Sequence, residues 1–381
     1  MSSNVDILAP YFTIAFISLV LIAFAGAQRR SVDTGDKIER YESDVLGWLL
    51  AFSAATALGA FWGLRSYAVG VDSFQYAIDM GLGFSELIDN GSIGYAAVVT
   101  VSQLLFPGAY EPVFLFFAFV TAGILVGSLM RYCPIPWFGL LIVFSMGYLF
   151  EGVNQFRQLC AMSIALYALL LLGEGRGKSF VALSLIAASV HLSAVVVFPV
   201  LFLGRVRISE TKALAMLLVT VVAVAALPTV KPFLASIPVF GAYVGSSFDQ
   251  EASILTLLNF LFRAVLLVIV SLNLKRLEKR FAWGRLAYTI AVIGVFFQAL
   301  TLGFSMFARV SSYFVLFFAL SIPAVISLVK DFRERVLLSS SLLLAFTSLL
   351  LVNSLMKFNT EDYRYETFFG SRVIELRIGK R

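Results

Sequence analysis

The chain consists mainly of apolar runs separated by short polar connections. The runs cover residues 7–28, 45–64, 93–107, 112–130, 136–150, 155–172, 179–203, 213–229, 253–274, 286–304, 308–329 and 336–354. A helix that spans a membrane needs about 20 consecutive apolar residues, and several runs reach that length. The pattern predicts an all-α polytopic integral membrane protein with about 10–12 transmembrane helices.

We expect two parts in the chain, a single transmembrane domain over residues 1–356 and a polar C-terminal tail over 357–381. Of the 381 residues, 60% are hydrophobic and 14% are charged, and the mean hydropathy is +0.92. Soluble domains carry about 25% charged residues, so the composition excludes a water-soluble globular protein. Cys133 and Cys160 are too few and too far apart to indicate a disulfide framework or a zinc site.

The basic residues indicate how the helices are oriented. Lys and Arg number 29 against 23 acidic residues, a net charge of +6, and they collect beside the first, seventh, ninth and eleventh runs. These clusters are Arg29, Arg30, Lys37 and Arg40; Arg205, Arg207 and Lys212; Lys275, Arg276, Lys279, Arg280 and Arg285; and Lys330, Arg333 and Arg335. Connections rich in Lys and Arg stay in the cytoplasm. The N-terminus and the loop 65–92 are therefore predicted outside, and the charge pattern does not indicate nucleic-acid binding.

Two runs are predicted not to cross the membrane fully. If every run crossed, Arg176 and Lys178 would lie outside, against the charge rule. The conflict disappears if 93–107 does not cross and 179–204 enters and leaves on the cytoplasmic side as two half-helices that meet near His191. Broken helices at membrane depth occur only where they are buried in protein or line a wet cavity. We therefore expect roughly ten crossings plus broken, re-entrant segments.

Few polar residues interrupt the apolar runs, and each has a structural and a functional interpretation. A charge at the centre of a spanning helix costs about 2.5–3.5 kcal/mol on insertion scales. Arg157 and Arg309 lie near helix ends, where they could simply reach to lipid headgroups. His191, the only histidine, could be a satisfied core residue. Arg263 lies in the middle of a run, which favours a buried partner or a wet cavity.

The outer loop 65–92 is predicted to contribute to the functional site. Arg65, Gly70, Asp72 and Tyr76 lie close together in it. Gly70 permits a tight turn, and the carboxylate of Asp72 can accept a proton. A solvated salt pair would show the same spacing, so the loop alone leaves both interpretations open.

Taken together, the polar motifs resemble those of the EpsG-like family of exopolysaccharide polymerases, grouped with the Wzy-type and O-antigen polymerases. The resemblance covers about residues 45–330. Its motifs, in order, are Arg-Ser-Tyr-Ala-Val-Gly-Val-Asp-x3-Tyr at 65–76, Asn154-x2-Arg157-Gln158, His191-x-Ser193 and Arg309-x3-Tyr313-Phe314. One position departs from the family pattern. Members often carry an acidic residue two or three positions before a Gly-Tyr pair, whereas Gly94-Tyr95 follows Ser92 and Ile93.

The resemblance implies a glycosyltransferase with a fold related to the GT-C enzymes. Such a protein would join oligosaccharide repeat units carried on undecaprenyl pyrophosphate, at the outer face of the bacterial cytoplasmic membrane. It implies Asp72 as the base, with His191 as second choice. It also implies two groups of binding residues: Arg65, Arg157, Arg263 and Arg309 for the pyrophosphate, and Tyr76, Asn154, Gln158 and Tyr313 for positioning sugar or phosphate oxygens.

No metal or other cofactor is implied, since the chain has no Asp-x-Asp pair and the arginines would neutralise the leaving group. The expected partners are lipid-linked donor and acceptor oligosaccharides, the bilayer, a flippase and a chain-length regulator, and no nucleic acid. A flippase or transporter for lipid-linked sugars is the main alternative, because it too would need buried cations. An envelope glycan ligase is a second alternative, and a structural scaffold is the weakest because it leaves Arg263 unexplained.

Overall fold

The computed structural model describes residues 4–35, 37–89, 92–203, 210–236, 253–358 and 363–369. The α-helices are α1 Asn4–Ala27, α2 Val45–Gly63, α3 Ser73–Ile78, α4 Phe84–Asp89, α5 Ile93–Leu105, α6 Glu111–Tyr132, α7 Pro136–Val143, α8 Leu149–Asn154, α9 Phe156–Gly173, α10 Gly177–Val190, α11 Val200–Leu203, α12 Glu210–Ala235, α13 Ile254–Leu272, α14 Leu274–Arg280, α15 Gly284–Leu300, α16 Phe307–Val315, α17 Phe318–Leu328 and α18 Phe332–Phe358. Strands β1 Arg29–Thr34 and β2 Lys37–Ser43 complete the fold together with short 3-10 and π-helical turns. The prediction of an all-α polytopic membrane protein is confirmed.

Eight helical stretches of the described residues are long and apolar enough to cross a membrane. They are Ile7–Ala27, Val45–Gly63, Glu111–Tyr132, Pro136–Asn154, Phe156–Gly173, Ile254–Leu272, Phe307–Leu328 and Phe332–Met356. The helix α12 has 26 residues and α15 has 17, so both approach or exceed the length required to span the hydrocarbon core. With these two, the described residues contain ten stretches for the roughly ten predicted crossings, and the number of crossings stays a prediction.

The connection between α1 and α2, which the basic residues predict to be cytoplasmic, forms a β-hairpin. Strands β1 and β2 pair antiparallel, and Asp33 in β1 lies 3.7 Å from the guanidinium of Arg280. Arg29 at the start of β1 donates hydrogen bonds to the backbone carbonyls of Met130 (2.7 Å) and Cys133 (2.8 Å) at the end of α6. These carbonyls have no partner within the helix, so Arg29 both caps α6 and fixes the hairpin.

The opposite end is closed by the described part of the C-terminal tail. Residues 363–369 pack against the outer ends of α1 and α2. The backbone amide of Ser66 donates to the carbonyl of Glu366 (2.8 Å), and the amide of Phe368 donates to the carbonyl of Leu64 (3.1 Å). The hydroxyl of Tyr11 donates to the carbonyl of Tyr363 (3.1 Å). This part of the tail therefore belongs structurally to the membrane body.

The segment 177–203 turns back on itself, as the sequence predicted. The helix α10 has 14 residues and ends at His191, whose backbone is extended, and a 3-10 helix over Leu192–Val197 follows. A Cβ atom placed on Gly177 would lie 3.8 Å from Cδ1 of Leu201, so the two ends of the segment are neighbours. The segment thus folds back on itself with its break at His191, as predicted; that it enters and leaves the membrane on the cytoplasmic side stays a prediction.

The helix α5 is shorter than a membrane span, in line with the prediction that it does not cross. Its 13 residues extend about 20 Å at 1.5 Å per residue, less than the about 30 Å of the hydrocarbon core. Tyr95 near its start packs against Tyr76 of the outer loop, with ring centres 6.1 Å apart. Tyr110, which follows its end, packs against Tyr67 at 5.4 Å. Both ends therefore lie on the side of the outer loop.

A π-helical turn at Phe144–Tyr148 interrupts the fourth crossing between α7 and α8. Gly147 has a positive φ of 95°, which L residues with a side chain rarely adopt. The side chain of Asn353 in α18 donates to the carbonyl of Ser145 (2.7 Å) and so satisfies a backbone group in the irregular turn. Such turns often occur at functional sites, and this one points Met146 and Tyr148 at the cavity described below.

Cysteine accessibility tests the re-entrant segment. We expect Lys178→Cys and Phe202→Cys, both at exposed positions, to react with a membrane-impermeant maleimide only after the cells are permeabilised. Gln75→Cys in the outer loop should react without permeabilisation. The parental chain is the control, because Cys133 and Cys160 are buried. Labelling of position 202 from outside, with position 178 protected, would mean that the segment crosses the membrane.

Candidate functional site

The outer loop is held against the break between α8 and α9. Gly70 has a positive φ of 94°, and a Cβ atom there would collide with the backbone carbonyl of Val153. The amide of Asp72 donates to Oδ1 of Asn154 (2.9 Å), and the hydroxyl of Ser73 donates to the carbonyl of Val153 (2.9 Å). Glycine at position 70 therefore permits the close approach that brings Asp72 and Asn154 together.

Arg65 is a fully buried support of this loop. Its exposed fraction is 0%, and its guanidinium donates to the carbonyl of Trp62 and to the hydroxyl of Ser73. The guanidinium also lies over the ring of Phe114, 4.3 Å from its centre, a favourable cation–π arrangement. Burial lowers the pKa of Arg65 to about 10, so it stays cationic at neutral pH. Its contacts assign it to positioning the loop.

An outward cavity of about 180 Å³ lies beside the start of α9. Three residues predicted from the sequence line it: Gln158, Arg263 and Arg309. We call it the outer cavity; its other lining residues are Met146, Tyr148, Glu151, Gln155, Leu159, Met162, Ala308 and Ser312. The cavity therefore combines two guanidinium groups with one carboxylate, at a depth where water and polar groups are scarce.

Arg157 lies next to the outer cavity in a cluster of aromatic rings. Its Cζ atom lies 3.8 Å from the centre of the Tyr95 ring and 5.7 Å from that of Tyr76. The hydroxyl of Tyr95 donates to the carboxylate of Asp79 (3.0 Å), which also accepts from the amide of Gln75 (3.3 Å). Asp79 is 3% exposed and Arg157 9%. A buried carboxylate thus fixes the ring on which the guanidinium rests.

Tyr76 lies where the charges of the site meet. Burial raises the pKa of its hydroxyl to about 12, and the neighbouring guanidinium of Arg157 opposes that rise. The carboxylate of Asp72 and the guanidinium of Arg309 also act on this hydroxyl. Asp79 acts on it as well, so Tyr76 is a neutral hydrogen-bonding group among two cations and two carboxylates.

His191 joins the site from the tip of the re-entrant segment. Its Nδ1 lies 2.7 Å from the hydroxyl of Ser193, which in turn lies 2.9 Å from the hydroxyl of Tyr313 in α16. The imidazole is also within electrostatic reach of Arg157 and Arg309. A chain of three hydrogen-bonding side chains thus connects the broken helix to α16, beside the two arginines.

Two buried polar atoms at this place lack a partner among the described residues. They are Nε of Arg157 and Oε1 of Gln158, while Nε2 of Gln158 donates to the carbonyl of Arg309 (3.2 Å). Buried polar groups in native proteins are nearly always hydrogen-bonded. Gln158 lines the outer cavity, so a ligand in the cavity is one candidate partner for its unsatisfied oxygen.

The sequence as a whole matches the EpsG family over residues 48–367. The match covers most of the chain. The chain belongs to the EpsG family. It is therefore related to the polymerase-like proteins of polysaccharide biosynthesis. Comparisons with curated proteins and with solved structures found no match.

The EpsG-family pattern helps to explain one residue that the sequence did not reveal as part of the site. The acidic residue expected shortly before Gly94-Tyr95 is missing, but Asp79 supplies a carboxylate to the hydroxyl of Tyr95 from the outer loop. The sequence signal that could have pointed to Asp79 is an acid one turn after Tyr76. Glu151 was missed as well, because it belongs to a polar stretch at the end of an apolar run.

Tyr95 contacts Asp79 through its hydroxyl and Arg157 through its ring. We therefore expect substitutions that remove one or both contacts to lower the stability stepwise. Tyr95→Phe keeps the ring but leaves the buried Asp79 without its hydroxyl partner, so we expect it to lower the free energy of unfolding by about 1–3 kcal/mol. Tyr95→Leu also removes the cation–π contact and should cost about 0.5–2 kcal/mol more. Thermal unfolding in detergent measures both. Tyr167→Phe, whose hydroxyl makes no hydrogen bond to described residues, is the matched control; equal stability of Tyr95→Phe and this control would contradict the assignment.

Proposed function

We propose that this EpsG-family protein is a polysaccharide polymerase that joins oligosaccharide repeat units carried on undecaprenyl pyrophosphate. The observation that supports this best is the outer cavity, where Arg263, Arg309 and Glu151 face one space and Arg157 lies beside it. We propose that the site faces the outside of the bacterial cytoplasmic membrane and that the fold is related to the GT-C glycosyltransferases. A flippase and a chain-length regulator would supply substrate and limit the product.

The arginines suit the pyrophosphate of the donor. A guanidinium is planar, stays protonated and binds phosphate oxygens through two parallel hydrogen bonds. In a site with little water, fixed cations stabilise the charge that develops on a leaving group far more than they would in bulk water. We propose that Arg309 and Arg157 hold the pyrophosphate and that Arg263 marks the deep end of the cavity, towards which the lipid extends.

The acceptor requires a base, and we propose Glu151 for this role. Its carboxylate lines the outer cavity, and the amide of Asn154 lies 3.4 Å from Oε2, which orients it. Asp72 and His191, which the sequence favours as bases, lie in the neighbouring Arg157 cluster. There we propose that Asp72, together with Tyr76 and Gln158, binds sugar hydroxyls, while His191 keeps Tyr313 in place through Ser193.

The proposed step is the transfer of a glycosyl group. An acceptor hydroxyl attacks the anomeric carbon of the donor sugar, a new C–O bond forms, and the bond from that carbon to the pyrophosphate oxygen breaks. The proton of the hydroxyl passes to Glu151. The electron pair of the broken bond leaves with undecaprenyl pyrophosphate, whose added negative charge the arginines balance.

Transport and ligation predict different arrangements. A flippase would need cations that face a lipid-linked substrate but no base, so the carboxylate between Arg263 and Arg309 favours a transferase. A ligase would use the same chemistry with another acceptor. The feature expected of a ligase is a large outer loop between two of the C-terminal transmembrane helices. The candidate for such a loop is 230–252, and its residues 237–252 lie outside the described residues. Membership of the EpsG family supports the proposal of a polymerase rather than a ligase.

Substitution of the two cluster arginines tests the pyrophosphate assignment. Arg157→Lys and Arg309→Lys each keep a positive charge but lose the planar fork, and we expect either to lower the rate of polymerisation by about 10²-fold or more. The assay follows chain lengthening from a synthetic lipid-pyrophosphate repeat unit in proteoliposomes, at equal protein abundance. Arg30→Lys on the exposed hairpin is the matched control. Wild-type rates for both variants would remove these arginines from the site, and transbilayer movement without longer chains would identify a flippase.

A pair of carboxylate variants tests the base. Glu151→Gln should lower the rate of polymerisation by about 10²–10⁴-fold, because the amide cannot accept the proton of the acceptor hydroxyl. Asp72→Asn should lose less activity. Glu42→Gln, on the exposed surface of the hairpin, controls for the loss of one charge. If Asp72→Asn shows the larger loss and Glu151→Gln keeps most of the rate, Asp72 is the base.

A further inference from the structure

A second, larger pocket lies at the cytoplasmic end, on the far side of the membrane from the outer cavity. Its volume is about 750 Å³, within the about 300–1,000 Å³ typical of ligand sites. The pocket is formed where α14 ends, where α17 ends and where α18 begins. Its charged lining residues are Arg276, Lys279, Arg280, Lys330, Asp331 and Glu334.

The charge of this cytoplasmic pocket is not balanced from within. Four cations face two carboxylates, a difference of +2. Arg280 contributes to an ion pair with Asp33 (3.7 Å), and one oxygen of Asp331 accepts from the backbone amide of Glu334 (2.9 Å), so both are engaged in the fold. In the described part of the chain Arg276, Lys279 and Lys330 form no ion pair. Three cations held around one pocket without a partner favour an anionic ligand.

The surroundings of the pocket favour a ligand that has an apolar part. Leu328 and Val329 line it together with the cations. Next to it, on the first turns of α18, Phe332 and Leu337 are each 69% exposed and Val336 is 46% exposed. A free phosphate ion would leave this apolar surface uncovered, whereas the acyl chains of a membrane lipid would cover it. The inner leaflet is also where anionic lipids concentrate and attract Lys and Arg.

We propose that the cytoplasmic pocket binds the headgroup of an anionic phospholipid. The phosphate lies between Lys279 and Lys330, on the two walls of the pocket, and Arg276 adds a third contact. The acyl chains run along the exposed apolar face at the start of α18. Such a lipid would join α14, α17 and α18 at a place where three of the four lining cations have no ion-pair partner among the described residues.

Lipid titration of the purified full chain, followed by native mass spectrometry, tests the proposal. The probes are dioleoyl phosphatidylglycerol, dioleoyl phosphatidylcholine with the same chains, and glycerol 3-phosphate without chains. We expect phosphatidylglycerol to bind saturably and about tenfold or more tightly than either other probe. Lys279→Gln with Lys330→Gln should weaken its binding about tenfold or more, while Lys279→Arg with Lys330→Arg should retain it.

The control is Lys37→Gln with Lys178→Gln, which removes two exposed cytoplasmic charges outside the pocket and should leave the binding unchanged. The thermal unfolding temperature without added lipid verifies that each variant is folded. Equal binding of phosphatidylcholine, or equal loss of phosphatidylglycerol binding in the control, would overturn the proposal. Equal binding of glycerol 3-phosphate would show a site for a free anion instead. None of these binding measurements depends on whether the protein polymerises sugars.

Discussion

The structure depends on how guanidinium groups are accommodated near the outer face of the membrane. A cation at this depth is stable only with a partner or with water beside it. Arg65 has a backbone carbonyl, a serine hydroxyl and two aromatic rings, and Arg157 rests on Tyr95. Arg263 and Arg309 instead line the outer cavity. The same constraint is thus met in two ways, by packing against rings and backbone groups of the protein and by lining a cavity.

The breaks in the helices follow from the same constraint. Three interruptions meet around the arginines: the π-helical turn at Phe144–Tyr148, the break at Gln155 between α8 and α9, and the break at His191. A continuous helix satisfies its own backbone and presents only side chains, whereas a broken helix also brings its ends and polar groups to the cavity. Helix breaks that would be costly against lipid are tolerated here because they are enclosed by protein.

Much of this arrangement was predictable from the sequence. The charge rule at Arg176 and Lys178 required a segment that enters and leaves on one side, and its break fell at His191 as predicted. The contact of Asp79 with Tyr95 was not predictable, because it joins two short helices whose mutual orientation has no periodic signal. The place of Glu151 depends on the turn at Gly147, since a shift of one residue there rotates everything that follows by about 100°. The burial of Arg65 likewise arises only from packing.

The two ends of the molecule use cations in opposite ways, and this difference supports the proposal that the outer end is the site of chemistry. At the cytoplasmic end Lys279 and Lys330 lie exposed at the interface, as expected of residues that orient helices. At the outer end the charge rule disfavours cations, yet Arg157 is 9% exposed and Arg65 fully buried. The need to orient helices in the membrane does not account for these cations, because cations at the outer end oppose that orientation. They are also enclosed by Asp79, Tyr95 and the outer loop. The retention of Arg65 is explained by its support of the outer loop, and that of Arg157 by the proposed binding of an anion that arrives from outside, such as a lipid pyrophosphate.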